Sequence, residues 1–281
     1  MNLLKLRVDN HLYKKIDEIS KSPKEKELLN DAFFGGKRLR PMICLAIGDS
    51  FPNDNKPIEN IAVAIEMIHN ASLIIDDLPC MDNDNYRRDS MTIHYKYGET
   101  IAIQEALKIM GVALNLVFQT VSSLPNSSDK IYIFNEIIYK NLGRDGLPMG
   151  QMIDINLLKN RLNPSNKRQH KELIFKKTTT LFNLSFLLGL ALYTDDKEKL
   201  AMIEKASKYF GLAFQIYDDF TDVEQDREKN SPNIVNQLGR TEAYTMFHKA
   251  VSKSKDCLEK LNIQLDFFNE VFQKLAEKVH L

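Results

Sequence analysis

The sequence has no excess of either charge: Lys and Arg total 38, and Asp and Glu total 38, in 281 residues. A chain without a global positive field has no general attraction for nucleic acid or for an anionic membrane surface, so we expect neither as a partner. Any basic site must therefore be local. The apolar content of 43% is enough to fill the core of a globular domain of enzyme size.

Long hydrophobic runs are also lacking. The longest apolar stretch, residues 184–193, is interrupted by Ser185 and Gly189 and is much shorter than the roughly 20 residues that cross a bilayer. We therefore expect no membrane span. The N-terminal segment MNLLKLRVDNH has neither the apolar stretch nor the cleavage site of a secretory signal, which predicts a cytoplasmic protein.

Cysteine is scarce. Cys44, Cys80 and Cys257 are odd in number, lie far apart and form no C-x-x-C pair. This pattern disfavours both a disulfide framework and a zinc site, and it indicates structural thiols.

Apolar residues recur at spacings of three and four through most of the chain, and no run of strict alternation predicts a strand. The predicted class is therefore all-α. Prolines mostly fall between the periodic segments, and no stretch has the composition of a domain linker, so we expect a single helical domain over residues 1–281. The predicted helices, about ten, cover residues 8–32, 40–50, 57–77, 98–122, 128–143, 146–159, 169–193, 197–225, 238–259 and 263–279.

Two clusters of carboxylates follow apolar helical segments. The first comprises Asp76, Asp77, Asp82 and Asp84, with Pro79 turning the chain between the two pairs. The C-terminal end of a helix already carries partial negative charge, so carboxylates gathered there indicate a cation.

The second cluster lies far downstream, at the end of the segment YFGLAFQIYDDFTD. Its carboxylates are Asp218, Asp219 and Asp222, and the first and last of these are one helical turn apart. Oxygen ligands of this kind suit Mg²⁺, which prefers a few carboxylates together with waters and substrate phosphates. A single cluster would indicate no more than a solvated helix end, but two of them with basic residues elsewhere favour a functional site.

Short basic groups complete the pattern. They are Lys37, Arg38 and Arg40 in GGKRLRP, the pair Arg87 and Arg88, and Lys176 and Lys177 followed by Thr178. Arg offers planar forks to phosphate oxygens, Lys offers a point charge, and adjacent glycines let backbone amides approach an anion. Each group alone is a common surface feature and the Walker spacing is absent, so only the set indicates a diphosphate site.

With these residues the sequence resembles the trans-isoprenyl diphosphate synthases, the farnesyl and geranylgeranyl diphosphate synthases. The motifs occur in the family's order from Gly35 to Asp222. They are GGKRLRP, EMIHNASLIIDDLPCMDND with YRR, GQMID at residues 150–154, KKT at residues 176–178, and FQIYDDFTD. The resemblance implies the isoprenoid synthase fold, a bundle of helices around a central active-site cavity, and a homodimer.

The resemblance also implies residue roles. Mg²⁺ is the implied cofactor, with three ions when a diphosphate is bound, held by Asp76, Asp82 and Asp218 with the support of Asp77, Asp219 and Asp222. The implied ligands of isopentenyl diphosphate are Lys37, Arg40, His69 and Arg88. On the allylic diphosphate side the implied ligands are Arg87, Lys177, Thr178 and Gln215, with Lys229 as a further basic candidate.

A lone His in an apolar helix is usually a core residue, but His69 lies two turns before Asp76 on roughly the same face, which favours a role in the site.

The activity implied is the condensation of isopentenyl diphosphate with an allylic diphosphate. Mg²⁺ and basic side chains stabilise the departing allylic diphosphate, and the double bond of isopentenyl diphosphate attacks the resulting cation. The implied catalytic residues are Asp76, Asp77, Asp82, Arg87, Lys177, Asp218 and Asp219.

In the family, a bulky aromatic residue five positions before the first Asp tends to limit the product to fifteen carbons. Ala71 at that position favours geranylgeranyl diphosphate, and farnesyl diphosphate stays open.

The chain departs from the family pattern at four places. Ile75 stands where His is frequent, and Asp89 stands where Gly usually follows the two arginines. The segment IQEALKI is shorter than the usual one, with Glu105 as a possible replacement for an Asp. The segment after Asp222 keeps only Lys229 as a clear basic residue.

These departures leave two alternatives open. The chain could be a catalytically weak subunit that binds prenyl diphosphates or regulates an active homologue, although the intact Asp motifs argue against this. A terpene cyclase is the second alternative and is disfavoured. Cyclases usually replace the second Asp motif and need no isopentenyl site.

Overall fold

The structure is a computed structural model. It describes residues 1–52, 56–143, 146–148, 179–228 and 233–280. The chain divides into two compact units, one made of Met1–Gly48 and Asn53–Ile131 and the other of Asp49–Pro52 and Tyr132–Leu281. We describe each unit by itself, and the single domain expected from the sequence stays a prediction.

Helices and one small hairpin make up the first unit. In chain order they are α1 (Asn2–Ile19), α2 (Pro23–Ala32), α3 (Leu39–Gly48), α4 (Lys56–Asp76), β1 (Tyr86–Arg87), β2 (Ser90–Met91), α5 (Ile93–Tyr97) and α6 (Glu99–Ser122). The two strands are antiparallel, with Tyr86 opposite Met91 and Arg87 opposite Ser90. Helix α7 (Ser127–Leu142) follows along the chain.

Helix α4 forms the core of the first unit because it is apolar on nearly every side. Residues 61–68 are all buried, including Glu66. Helices α1, α3 and α6 pack against it. A helix that is hydrophobic all round belongs in the interior of a protein. The packing of α4 therefore fixes the position of Asp76, its last residue.

The second unit is built around α9. Its described helices are α8 (Thr180–Ala191), α9 (Lys197–Thr221), α10 (Val223–Glu228), α11 (Ile234–Leu238), α12 (Arg240–Lys260) and α13 (Asp266–Ala276). Helix α9 packs against α8 and α12. The side chain of Asp196 starts α9 by accepting hydrogen bonds from the amides of Glu198 and Lys199 at 2.8 and 3.3 Å.

An aromatic cluster fills the core of the second unit. The ring of Phe210 lies 5.1 Å from that of Phe182, 5.4 Å from that of Phe186 and 5.3 Å from that of Phe272, between ring centroids. Phe182, Phe186 and Phe210 are fully buried. Tilted and edge-on rings at these distances are favourable aromatic pairs. These phenylalanines are therefore core residues.

The helices agree with the predicted segments to within a few residues except at particular breaks. The prediction of one helix over residues 8–32 was wrong, because the chain breaks between Ile19 and Pro23. Pro23 disfavours helical backbone at the residue before it, and the Ser22 hydroxyl accepts a hydrogen bond from the amide of Glu25 at 3.2 Å. Two helices result.

Other differences are small. The short helices α5 and α11 and the β1–β2 hairpin were not predicted, since each is too short to show a period in the sequence. The end of predicted helix 197–225 is divided into α9 and α10. Predicted helix 146–159 and the first part of predicted helix 169–193 lie largely outside the described residues.

Two helices of the described chain are long and apolar enough to cross a membrane by length and composition, α4 and α6. In the most apolar window of α4, 67% of the residues are buried inside the protein, and in that of α6, 39% are. Core helices of soluble proteins pass the same test, so this observation is weak support for a membrane span.

Candidate active site

The GGKRLRP loop joins α2 to α3, and three of its residues have positive φ angles. Gly35, Gly36 and Arg38 have φ angles of 69°, 87° and 55°. Glycine adopts positive φ without steric cost, whereas an L residue such as Arg38 does so only when its surroundings hold it. The loop is thereby shaped to present Lys37 as an exposed side chain.

Arg88 lies directly against this loop. A Cβ built on Gly36 would come within 2.6 Å of Nη1 of Arg88 and within 2.9 Å of its Cζ. Nη1 of Arg88 also donates to the carbonyl of Phe34 at 3.4 Å. The absence of a side chain at Gly36 therefore makes room for the guanidinium. Burial lowers the pKa of Arg88, and the positive charges of Arg38 and Arg87 lower it further, while Glu66 and Asp77 oppose the shift.

His69 lies among these guanidinium groups. Its Nε2 is 3.3 Å from Nη1 of Arg40. Burial holds the pKa of His69 well below its usual value of 6.5, and the charges of Arg40, Arg88, Arg87 and Arg38 lower it further. His69 is therefore neutral at pH 7, and the cationic surroundings indicate an anion site. Among the described residues, the buried Nδ1 of His69 has no hydrogen-bond partner.

The structure thus brings together three of the four predicted isopentenyl diphosphate ligands, Arg40, His69 and Arg88. The fourth, Lys37, is next to Gly36 in the same loop. All four belong to the first unit. Arg and Lys in such a group suit a diphosphate, which has several oxygens to accept charge-assisted hydrogen bonds.

The first acidic motif folds back on itself after α4. The amide of Asp82 donates to the carbonyl of Asp76 at 2.9 Å, and the amide of Asp84 donates to the carbonyl of Asp77 at 3.2 Å. These bonds bring the second pair of aspartates back to the first. Asp76 is half-buried, and Asp82 and Asp84 are exposed. The Pro79 turn expected from the sequence therefore gathers these carboxylates at the end of the helix.

Asp77 differs from its neighbours because Arg87 binds it. Nε and Nη2 of Arg87 both lie 2.6 Å from Oδ1 of Asp77, and Nη2 lies 3.7 Å from Oδ2 of Asp84. Burial raises the pKa of Asp77, although Arg87 opposes the shift. Burial by itself would lower the pKa of Arg87. The hydrogen bond to Asp77 and the charge of Asp77 instead raise this pKa above its usual value. This pair ties the hairpin to the end of α4.

The hairpin turn explains one departure from the family pattern. Arg88 and Asp89, the two residues between the strands, both have positive φ, 54° and 63°. Two-residue hairpin turns of this kind favour Gly, Asn or Asp, which tolerate left-handed backbone. Asp89 therefore suits the position usually held by Gly. In the part of the chain that the structure describes, it forms no ion pair with Arg88.

Glu105, another departure, is buried and lies 2.7 Å from Nζ of Lys108, which also contacts Glu25 at 2.7 Å. It therefore has a local partner that links α6 to α2. Ile75 is half-buried next to the first acidic motif.

The second acidic motif, in the second unit, has two kinds of carboxylate. Asp218 is half-buried and Asp222 is exposed, and the amide of Asp222 donates to the carbonyl of Asp218 at 2.9 Å. Asp219, by contrast, is buried. Its oxygens accept from Nε2 of Gln215 at 2.8 Å and from the amide of Ile234 at 2.7 Å. Asp219 and Gln215 are thus joined to each other, and Asp219 anchors the start of α11.

Comparison with known proteins decides the family. Residues 23–266 match the polyprenyl synthetase family. The chain belongs to the polyprenyl synthetase family. A farnesyl diphosphate synthase of Buchnera aphidicola subsp. Schizaphis graminum is 32% identical over 242 residues, covering 85% of this chain and 79% of that protein. Chloroplastic geranylgeranyl pyrophosphate synthase 3 of Arabidopsis thaliana is 36% identical over 197 residues, covering 69% of this chain and 54% of that protein.

Solved structures agree with this assignment. A geranyltranstransferase from Thermotoga maritima is 26% identical with a TM-score of 0.82, covering 98% of both chains. A geranyltransferase from Legionella pneumophila has a TM-score of 0.87 at 24% identity, covering all of this chain and 96% of that one, and shows the fold. The predicted family, the all-α isoprenoid synthase fold and the prediction of a prenyltransferase are confirmed.

Polyprenyl synthetases are generally Mg²⁺-dependent, and the chemistry of the accessible aspartates fits this ion. Asp76, Asp82, Asp218 and Asp222 offer carboxylate oxygens at half-buried or exposed positions, where waters and phosphates can complete the coordination. Asp77 and Asp219 are instead buried and hydrogen-bonded to the protein. Within the described residues, no group of three or more His, Cys, Asp or Glu is arranged to hold a metal.

Several predicted residues lie outside the described part of the chain. They are Lys177, Thr178 and Lys229, together with the GQMID motif at residues 150–154. Their roles stay predictions.

The structural roles of Glu66, Arg38 and Asn233 in this polyprenyl synthetase were not predicted from the sequence. Glu66 pairs with Arg38 in the interior, and Asn233 donates to the carbonyl of Asp219 at 2.8 Å. A glutamate within the buried-looking segment AVAIEMIHN was a signal for the first pair. A cap position such as that of Asn233 shows no such signal, because its partner lies 14 residues earlier in the chain.

We expect Gly36→Ala to weaken the binding of isopentenyl diphosphate, because its Cβ would displace the Arg88 guanidinium. The KM for isopentenyl diphosphate should rise by about tenfold, the order expected for losing a charge-assisted contact. Steady-state kinetics with each substrate varied in turn would measure this. Gly239→Ala is the matched control, since Gly239 has a similar φ, 85°, and nothing within 4 Å of the added Cβ. An equal effect of both changes on KM would contradict the expectation.

Proposed function

We propose that this polyprenyl synthetase condenses isopentenyl diphosphate with dimethylallyl, geranyl or farnesyl diphosphate to give geranylgeranyl or farnesyl diphosphate. The observation that supports this most directly is the cluster of Arg40, His69 and Arg88 beside the Lys37 loop. This cluster is basic, unlike the aspartate motifs, and its side chains suit a second diphosphate. An enzyme that joins two diphosphate substrates needs both kinds of subsite.

The chain's own residues have distinct tasks in this reaction. Lys37, Arg40 and Arg88 bind the isopentenyl diphosphate oxygens, and neutral His69 can donate a hydrogen bond to them. Binding in one orientation holds the double bond of isopentenyl diphosphate ready to attack.

On the allylic side we propose Arg87, Lys177, Thr178 and Gln215 as ligands, with Lys229 as a further cation. Arg87 is held by Asp77, so its guanidinium is already oriented before substrate arrives. Fixed cations stabilise the charge that develops on the diphosphate as its C–O bond breaks. The departing diphosphate is a suitable acceptor for the proton that the product loses.

For the metal we propose Asp76, Asp82, Asp218 and Asp222 as ligands, with Asp77 and Asp219 fixing the backbone around them. When bound, as the three ions that we propose for the full complex, Mg²⁺ would supply Lewis-acid stabilisation of the leaving diphosphate. The aspartates keep their carboxylates near the ends of α4 and α9, where the helix C-termini also favour a cation.

A catalytically weak subunit is the less favoured reading, because the accessible aspartates and the basic cluster are all present. Asp89 could have neutralised Arg88, but in the described part of the chain these two adjacent residues form no ion pair. A terpene cyclase would have no use for the Lys37, Arg40, His69 and Arg88 cluster. We also propose the cytoplasm as the location.

The proposal is tested by incubating the purified protein with Mg²⁺, isopentenyl diphosphate and, separately, dimethylallyl, geranyl or farnesyl diphosphate. Diphosphate release and product chain length are then measured. We expect turnover that requires both substrates, and a loss of at least about a hundredfold in kcat for Asp76→Asn, as for the removal of other electrostatic groups that act on a transition state. Asp256→Asn, at an exposed position of α12, is the control. Binding without turnover would favour the subunit reading, and turnover of an allylic diphosphate alone would favour a cyclase.

Product length is a separate prediction. Ala71 lies on α4, is 1% exposed and is five residues before Asp76. If the growing chain extends past this position, Ala71→Phe shortens the product from twenty toward fifteen carbons or fewer. Chromatography of the dephosphorylated products measures the distribution. Because an added ring costs about 1–3 kcal/mol in a packed core, Ala71→Leu serves as a milder second variant. Unchanged distributions for both folded variants would contradict the role of Ala71.

We also propose that the protein is a homodimer formed through α6. One face of this helix carries the apolar side chains of Ile103, Leu107, Met110, Leu114 and Phe118, spaced to form a continuous stripe. Leu107 is 68% exposed and Ile103 is 41% exposed. A stripe of this kind on a 24-residue helix favours burial against another surface.

Leu107→Glu tests this assembly, because a buried unpaired charge would oppose association. We expect dimer for the parent protein and at least a partial shift to monomer for the variant, measured by sedimentation velocity. Leu3→Glu is the control, since Leu3 is 84% exposed on α1. A monomeric parent protein would refute the proposed assembly.

A further inference from the structure

Arg38 is the buried member of the GGKRLRP loop. Its side chain is 2% exposed, and its three nitrogens all point into the protein. Nε donates to Oδ1 of Asp9 at 2.8 Å, Nη1 donates to Oε1 of Glu66 at 2.8 Å, and Nη2 donates to the carbonyl of Phe33 at 2.6 Å. These three bonds join α1, α4 and the end of α2 to one guanidinium.

The bonding pattern separates Arg38 from its neighbours Lys37 and Arg40. A substrate ligand needs a donor directed toward solvent, but the guanidinium of Arg38 is engaged from three sides by protein oxygens. Burial acts to lower the pKa of Arg38, yet Glu66 and Asp9 raise it above its usual value. Arg38 is therefore a permanent cation held inside the unit and not a diphosphate ligand.

The partners of Arg38 are themselves held in place. Oε1 of Glu66 also accepts from Nδ2 of Asn70 at 3.0 Å, and the same nitrogen donates to the Glu66 carbonyl at 2.8 Å. Asn70 is the residue after His69 on α4. Asp9 accepts a second bond from Nζ of Lys5 at 2.7 Å. The network therefore extends from α1 to the turn of α4 that carries His69.

The backbone gives a second reason for the network. Arg38 has φ of 55°, a conformation that costs an L residue energy unless its contacts fix it. This residue lies between Lys37 and Arg40, so its backbone decides how these two side chains leave the loop. A less firmly held Arg38 would let the loop relax to ordinary backbone angles, which would change the directions in which Lys37 and Arg40 leave the chain.

We propose that Arg38, Asp9 and Glu66 form a positioning network that orients the isopentenyl diphosphate subsite. That isopentenyl diphosphate is the ligand of this subsite rests on the proposed function. The network holds the loop so that Lys37 and Arg40 converge with His69 and Arg88 on the same diphosphate. Its two carboxylates also offset part of the positive charge that the subsite gathers. The allylic subsite does not depend on it.

The experiment compares Arg38→Met, Glu66→Gln and Asp9→Asn with the parent protein. KM is measured for isopentenyl diphosphate at saturating geranyl diphosphate and for geranyl diphosphate at saturating isopentenyl diphosphate, with kcat and the unfolding temperature. Lys14→Gln is the control, because Lys14 is an exposed lysine of the same helix α1 and is not a member of the network. Asp9→Asn and Glu66→Gln keep the shape of the side chain, so their KM values test the proposal even if Arg38→Met does not fold.

We expect the KM for isopentenyl diphosphate to rise by about tenfold or more in Glu66→Gln and Arg38→Met, and by a smaller factor in Asp9→Asn. The KM for geranyl diphosphate and kcat should change by less than about threefold. A purely structural role would instead change both KM values together or lower only the unfolding temperature. Equal changes in both KM values, or an unchanged KM for isopentenyl diphosphate in the folded variants, would overturn the proposal.

The same variants distinguish this proposal from the proposed function. If the parent protein turns over neither substrate, the condensation activity fails, and calorimetric titration with isopentenyl diphosphate then replaces KM. Selective weakening of that binding in Glu66→Gln supports the network even without turnover. Binding that is equal in the parent and in Glu66→Gln, or absent from both, counts against it.

Discussion

The repulsion among four arginines is the constraint on which the first unit depends. Arg38, Arg40, Arg87 and Arg88 all lie close enough to His69 to lower its pKa. Like charges brought this close destabilise a fold unless they are paired or bind an anion. The protein pairs Arg38 with Asp9 and Glu66, and it pairs Arg87 with Asp77. Burial and the neighbouring arginines lower the pKa of Arg88, so an added anion would stabilise the charged form of Arg88.

The two acidic motifs also contain two kinds of aspartate, which differ in burial. Asp77 and Asp219 are buried, and each ties a loop to the end of a helix through hydrogen bonds. Asp76 and Asp218 are half-buried, and Asp82 and Asp222 are exposed, so these four are more accessible than Asp77 and Asp219. Adjacent aspartates in one motif therefore serve different purposes. In the proposed function, an aspartate that fixes the backbone would reduce the freedom that its neighbour loses on binding a cation.

Several elements could be predicted from the sequence because their causes are local. The period of α4 and α9, the Pro79 turn and the order of the five motifs all lie within short stretches of chain, and the family they indicate was confirmed by the comparisons. The break at Ser20–Ser22 is also local, but one helix was predicted across it because the apolar period continues on both sides of Pro23. The β1–β2 hairpin was missed because two-residue strands carry no period.

The sequence by itself determined the helical class, the family and the residue types that suit Mg²⁺ and diphosphates. The tertiary structure decided which members of each motif face inward. The resemblance selected Lys37 and Arg40 of GGKRLRP as ligands but gave no role to Arg38. The tertiary structure shows that Arg38 meets Asp9 and Glu66, which lie 29 residues before it and 28 residues after it. In the same way Asp219 is distinguished from Asp218 by an amide 15 residues away. Burial and pairing arise from contacts between distant segments, and no local pattern of residues records them.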